Sequence, residues 1–234
     1  VSQWWHWQQS GPRQEHSFGV VGVGRFGTAV CRELVKDGAE VLAVDRRERA
    51  IEELRQIDPS IEARVVDCTE EDSLRAAGIL EVGTVVVAIS EPIEASITAT
   101  LIAKDAHDSK VERVIARATS DLHEKMLKRV GADRVVFPSR MQGERLGLEL
   151  VRPNLLERLQ LDAHNCIEEI TVPGDFIGRS LRDLNLRKNQ HVSVLAAGPA
   201  HSLTVNPPAT YVLEEGHVLV VMGQTEDLRQ LLKR

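Results

Sequence analysis

Residues 18–27 read FGVVGVGRFG, a short apolar run ending in G-x-G-x-x-G at Gly22, Gly24 and Gly27, and few folds accept that order. Alone the motif says little. Its meaning comes from the valine-rich run before it and the helical spacing of Phe26, Ala29, Val30 and Leu34 after it. In that context the first glycine permits a tight turn, and the second lets backbone approach a pyrophosphate. The third lets a helix lie close on a strand. A helix that starts there offers unpaired N–H groups to phosphate oxygens. Asp45 ends the next apolar run, VLAVD, 23 residues after Gly22, where an acid accepts hydrogen bonds from ribose hydroxyls. Its charge also repels a 2′-phosphate, so NADP is disfavoured despite the adjacent Arg46 and Arg47.

The same alternation continues. The runs ARVV, TVVVAI, RVIA and RVVF are short and rich in β-branched residues, as strands are. Helical stretches separate them, one carrying Ile93, Ile97 and Leu101 on a single face. Strands apolar on both sides that alternate with helices make a parallel sheet covered on both faces. The expected fold class is therefore α/β, a Rossmann-like doubly wound sheet of six parallel strands over residues 18–138. A helix from Ser139 to Val151 follows, with Leu146 and Leu150 on one side and Leu148 and Val151 on another. That pattern predicts burial on two sides, against its own domain and a second copy of the chain. Residues 139–158 read as this helix and a linker, broken at Pro153-Asn154. Residues 159–234 form a small α+β module with strands IEEITV, HVSVLAA and HVLVVMG, turn clusters PGD, AGPA and NPPA, and a last helix with Leu228, Leu231 and Leu232 inward. A core of that size stands alone with difficulty, and the module is expected to dimerise.

Other residues fall at strand ends around the glycine loop. Arg25 is either solvated or a fork for terminal phosphates. Asp67, Cys68 and Thr69 follow the third strand, where adenine would lie, and Cys68 is either a small inert filler or a redox sensor. Ala88, Ile89 and Ser90 end the fourth strand opposite the loop. Arg117 ends the fifth, as a second phosphate contact or a salt-bridge partner of a helix carboxylate.

Composition narrows the function. There are 29 basic against 35 acidic residues, a net charge of −6, which disfavours a nucleic-acid binder. The longest apolar stretches, such as Val85–Ile89 and Val218–Met222, fall far short of the ~20 residues of a membrane helix. Three scattered cysteines, Cys31, Cys68 and Cys166, form neither a disulfide framework nor a zinc site and fit a reducing cytosol. Residues 1–17 hold Trp4, Trp5 and Trp7, lack signal-peptide order, and read as a tail. A dehydrogenase needs an acid–base group beside its nicotinamide. The single tyrosine, Tyr211, is not part of Tyr-x-x-x-Lys, and neither HExxH nor G-x-S-x-G occurs. His107 and His123 are expected on helix surfaces, and His164, His191, His201 and His217 fall in the C-terminal module. A nucleotide pocket without catalytic or metal-binding residues favours sensing over turnover.

The motifs VVGVGRFG, VLAVD, VVDCTEED, EASITATLIAK and GADRVVFP, with SLRDLNLR and NPPA further on, resemble the regulator-of-potassium-conductance (RCK, or KTN) domain family across residues 18–234. The nearest pattern is the free-standing regulatory subunit of Ktr/Trk-type potassium uptake systems. The resemblance implies a cytoplasmic octameric ring, a tetramer of dimers, held at the inner face of the membrane by an integral pore subunit of the KtrB or TrkH type. It implies ATP, ADP or NAD(H) at the glycine loop, with Gly22, Gly24 and Gly27 on the phosphates and Asp45 on the ribose. Arg25 would reach the γ-phosphate, Asp67 and Cys68 would flank adenine, and Arg117 would line the pocket. The helix at 139–151 matches the family's intersubunit crossover. Ser139 stands where some members carry a cation-binding glutamate, and a hydroxyl is a poor ligand for a hard cation. In some relatives the C-terminal half binds cyclic di-AMP, which would fall here at Leu181, Leu184, Asn185, Arg187 and Pro207. Two other readings remain: a small NAD-dependent oxidoreductase, and an NADH redox sensor on a different transport system.

Overall fold

The computed structural model describes residues 17–231, so the expected tail, apart from Ser17, and Leu232 lie outside it. The chain divides into two compact units, the first closing at Met141 and the second opening at Gln142.

In the first unit, β1 (Ser17–Val21) leads through the glycine loop into α1 (Arg25–Lys36). Then follow β2 (Glu40–Asp45), α2 (Glu48–Ile57), β3 (Glu62–Val65), α3 (Glu71–Ala76) and, after a 3-10 turn, β4 (Thr84–Val87). The unit continues with α4 (Ile93–Asp105), β5 (Arg113–Arg117), α5 (Asp121–Arg129) and β6 (Arg134–Val136). All six strands are parallel, in the order β3-β2-β1-β4-β5-β6. Separate apolar cores cover the two faces, one built around Leu74, Ile79, Ala99 and Leu127, the other around Cys31, Ile51, Leu54 and Ile61. This is the Rossmann-like sheet the alternation predicts. β1 has β2 on one side and β4 on the other, so the chain reverses its direction of travel across the sheet there. The carboxyl ends of β1 and β4, at such a reversal, are where open α/β sheets form their ligand crevice.

The helices meet the sheet through smaller side chains than their apolar spacing suggests. On α4 the buried stripe is Ala95, Ser96, Ala99, Thr100 and Ala103, while Leu101 is exposed. On α1 Gly27 and Cys31 are buried, Phe26, Val30 and Leu34 pack partly around them, and Ala29 faces out. A helix can lie close on a sheet only where its side chains are short, and close contact selects them over the larger apolar residues. His123, expected on a helix surface, is instead only 1% exposed on α5. The Ser120 hydroxyl accepts from its amide and Thr119 meets its Nδ1 at 3.2 Å. Burial lowers its pKa, disfavouring the charged ring. In the GADR segment, Gly131 takes φ +97, and Asp133 accepts from the Val114 amide at 2.7 Å and from Lys104 at 2.8 Å. That acid starts β5 and β6 in register.

α6 (Pro138–Val151) runs from the end of the first unit into the second. The expectation of burial on two sides does not hold within this chain. None of its residues is buried, Leu146 and Leu150 are exposed, and Val151 is 81% exposed. Leu148 alone leans on the second unit's core. Hydrophobic spacing reports which side needs cover, and not whether the cover belongs to the same chain.

The second unit contains β7 (Leu155–Gln160), β8 (Asn165–Thr171), α7 (Leu181–Leu184), α8 (Leu186–Gln190), β9 (Ser193–Pro199), β10 (Thr204–Val205), β11 (His217–Gln224) and α9 (Thr225–Leu231). Its sheet is antiparallel, in the order β10-β9-β11-β8-β7. β7 and β10 have no counterpart in the sequence pattern; residues 155–158, which read as linker, open β7. The core gathers Ile170, Phe176, Leu213, Leu219 and Leu228 on the inner face. Strand alternation also turns Glu168 inward, where it is fully buried. Arg152 clasps its carboxylate with two bonds of 2.8 and 2.6 Å, and Arg158 Nε stands 3.7 Å away.

Candidate functional site

The glycine loop lies at the crevice. Gly22 turns with φ +99, and a Cβ there would sit 2.9 Å from Ile89 Cγ1. Gly27 is tighter still, since a Cβ would fall 2.0 Å from the Gly22 carbonyl oxygen. Gly24 differs from both. It precedes the first residue of α1 in an extended conformation, and a Cβ there would meet nothing within 4 Å. Two glycines are therefore required by packing, and the third leaves open space in front of a helix start. No side chain caps that start and no acid occupies its first turn. The first-turn amides and the helix dipole are thus available to an anion.

Asp45 ends β2 with its carboxylate buried. Oδ2 accepts from the Val23 amide at 2.8 Å and from Arg47 Nη2 at 3.1 Å. Oδ1 accepts from the Arg47 amide at 2.9 Å and from Arg47 Nε at 3.1 Å. Burial pushes the carboxyl pKa up, but the bonds from Arg47 and Val23 and the Arg47 charge outweigh it, leaving the group below its ordinary range. The hold of Arg47 on this acid had no signal in the sequence beyond two arginines in a row.

Around the crevice, Arg25 and Arg46 are exposed, and neither forms a hydrogen bond or ion pair among the described residues. Asp67 turns its Oδ1 to the Thr69 amide and hydroxyl, at 2.9 and 2.7 Å, which shapes the entry to α3. Cys68 is buried; desolvation and the charges of Asp45 and Asp67 push its thiol up to about 12. A thiol so protonated is a poor nucleophile, which fits the inert filler rather than the redox sensor. Ala88 is buried under the loop, its amide donating to Val21 at 2.7 Å, and Ile89 and Ser90 are half-buried beyond it. Arg117 forms no salt bridge with a helix carboxylate among the described residues. Its guanidinium lies over the Phe26 ring, 5.5 Å from the centroid, and its buried Nε has no hydrogen-bond partner. That stacking brings Phe26 and Arg117 together at the loop, with a donor left over.

The second candidate group stands apart, in the other unit. Leu184 is buried and Leu181 half-buried in that unit's core, so both serve packing. Asn185 joins α7 to α8 with φ +43, and both it and Arg187 are exposed. Pro207 sits in the loop entering residues 209–211, whose Ala209 and Tyr211 carbonyls accept from Arg182 and Leu181. Among the described residues no group of three or more His, Cys, Asp or Glu side chains is arranged to hold a metal ion. No helix among them is long and apolar enough to cross a membrane.

A doubly wound parallel sheet followed by a small antiparallel module defines a two-part class, and comparison with known families agrees. The TrkA-N domain model matches residues 18–138 and the TrkA-C domain model matches residues 167–234. The chain belongs to this TrkA-N/TrkA-C family. It is 34% identical to Ktr system potassium uptake protein C of Bacillus subtilis (strain 168) over 217 residues, which is 93% of this chain and 96% of that protein. It is 33% identical to Ktr system potassium uptake protein A of Vibrio alginolyticus over 219 residues, 94% of this chain and 97% of that one. Among solved structures, the GsuK RCK domain matches 96% of this chain with a TM-score of 0.54 at 24% identity. The chain spans about half the length of that structure, 48%.

Proposed function

We propose that this chain is a nucleotide-sensing regulatory subunit of a potassium uptake system. The observation that carries the reading is the phosphate cradle itself: uncapped amides at the start of α1, open space at Gly24, and the unpartnered Arg117 Nε beside them. The Ktr relatives, matched over nearly their whole length, support potassium uptake as its setting. A sensor is favoured over an enzyme, since Asp45 is already bonded four times and the Cys68 thiol is held protonated. ATP, ADP or NAD(H) would occupy the pocket and bias the shape of an assembly, with α6 supplying an apolar face to a neighbouring copy. An octameric ring beneath a membrane pore subunit, on the cytoplasmic side, is the arrangement this reading entails. The mechanism is a population shift: ATP acts only as far as it prefers the activating shape more than ADP does.

Thermal unfolding of the purified chain with ATP, ADP, NAD, NADH and cyclic di-AMP tests the reading. A ligand that binds the folded state alone, at a hundredfold excess over its Kd, adds about 2.7 kcal/mol. Mutually competing ATP and ADP shifts are expected; no shift from any adenine nucleotide refutes the proposal. Shifts from NAD and NADH alone would move the assignment to the oxidoreductase or redox-sensor readings. Cyclic di-AMP is included because the exposed Asn185 and Arg187 are its candidate contacts. For Arg25→Ala, loss of a charge-assisted bond worth about 1.5 kcal/mol predicts a roughly tenfold weaker ATP affinity with ADP little changed. Equal losses for both nucleotides would remove Arg25 from the γ-phosphate.

A further inference from the structure

We propose that the ribose end of the pocket accepts an adenosine bearing a 2′-phosphate, so that dinucleotides of the NADP class are ligands of this chain. The inference rests on the nucleotide-binding reading above and names a ligand class for the same site.

An acid at the end of β2 ordinarily repels a 2′-phosphate by its charge and offers free lone pairs to ribose hydroxyls. Here they are not free. An ionised carboxylate has about four acceptor positions, and the Val23 amide, the Arg47 amide, Arg47 Nε and Arg47 Nη2 each donate to Asp45. The two amides are held by the backbone. The other two donors belong to a guanidinium that is 61% exposed above a carboxylate only 7% exposed, so Arg47 lies between Asp45 and solvent. What a ribose meets at this position is a donor surface.

That surface suits a phosphate. A guanidinium carries five N–H groups, and Arg47 spends Nε and one on Nη2 on Asp45, which leaves three. Arg46, the preceding residue, is exposed with no hydrogen bond or ion pair among the described residues. Its charge adds a little to the Thr69 hydrogen bonds that lower the Asp67 pKa and weakly opposes the rise at Cys68, so it acts at this end of the crevice. Asp45, Arg46 and Arg47 together carry one net positive charge. Of the other acids here, Asp67 faces the Thr69 amide and hydroxyl, and Glu53, whose charge also reaches Arg47, is paired with Arg49. Planar guanidinium forks match phosphate oxygens in pairs. Arg47 can bind a 2′-phosphate without releasing Asp45, whereas a bare ribose diol must displace it.

Titration calorimetry of the full chain with NAD, NADP, ADP and ATP tests this. NADP is expected to bind as tightly as NAD or more tightly; NADP binding more than threefold weaker than NAD overturns the inference. Arg47→Ala is expected to lower the NADP-to-NAD affinity ratio at least tenfold, since it removes the phosphate contact and frees Asp45 for the diol. Arg46→Ala, at an exposed position without partners, should lower the same ratio at least threefold. Unchanged ratios in both variants also overturn it. If ADP, ATP and NAD bind while NADP does not, only this inference falls; if none of the four binds, the nucleotide reading falls with it.

Discussion

Gly27→Ala is expected to collapse the loop and abolish nucleotide binding, while Gly24→Ala leaves the fold intact and damages binding alone. The two positions share a motif but not a reason for being glycine. At Gly27 an added Cβ falls 2.0 Å from the Gly22 carbonyl oxygen and 3.1 Å from its carbon. Those are backbone atoms of a turn already held at φ +99 and pressed on Ile89, so they have no cheap way to yield. Overpacking of a well-packed core costs about 1–3 kcal/mol, and displacing a backbone turn belongs at the upper end of that range. Gly24 has empty space in front of it and an extended backbone that alanine adopts freely. Its replacement costs about 1 kcal/mol at most, the loss typical of a poorer residue at a helix start. The methyl group would occupy the approach of the phosphates, and a loss of tenfold or more in ATP and ADP affinity is expected. Urea unfolding of the ligand-free variants and calorimetric titration separate the two effects. An unchanged affinity in Gly24→Ala would mean that phosphates do not lie over the start of α1.

The first unit was largely legible because its rules are local and repeated. Valine-rich runs buried on both faces, helices between them and a glycine turn after the first strand leave little choice beyond a doubly wound parallel sheet. Asp45 could be placed at the end of β2 because strand ends are where acids meet ribose. The state of Asp45 could not be read, since Arg47 reaches back over its own strand end and nothing in the spacing of DRRE says which way a long side chain turns. The sequence misplaces His123 because the apolar pair at i,i+4 spacing on its helix, Leu122 and Met126, faces outward, while His123 and Leu127 are the buried residues. The second unit was harder. β7 reads LLERLQ, without clean alternation, because it is an edge strand whose Arg158 is held by polar partners: its Nη2 donates to Gln160 and Thr225 at 2.8 and 3.0 Å. In β8 the inward positions are Cys166, Glu168 and Ile170, and a sequence pattern that counts charge as outward turns that strand the wrong way at its centre.

Glu168→Ala is expected to be among the most destabilising single changes outside the glycine loop. Glu168 is fully buried, Arg152 clasps it with bonds of 2.8 and 2.6 Å, and Arg158 stands 3.7 Å from Oε1. Removing the carboxylate leaves two guanidiniums, 12% and 19% exposed, facing each other without a counter-charge. Breaking a buried pair in this way costs about 3–5 kcal/mol, most of it the desolvation of the charges left behind. The intact triad, by contrast, gains little over an apolar filling, because attraction between buried charges barely repays their removal from water. Replacing all three together, Arg152→Met, Arg158→Leu and Glu168→Leu, should therefore recover most of the loss. The two units need not unfold together, so a whole-chain melting curve would blur the result. Hydrogen exchange at the buried amides of Ile170 and Leu219 reports the second unit directly. Faster exchange in Glu168→Ala, largely restored in the triple variant, is the expected pattern. Slow exchange in Glu168→Ala would mean that water enters to solvate the arginines. Fast exchange in the triple variant would mean that these side chains hold the end of α6 to the sheet through geometry that apolar residues cannot reproduce.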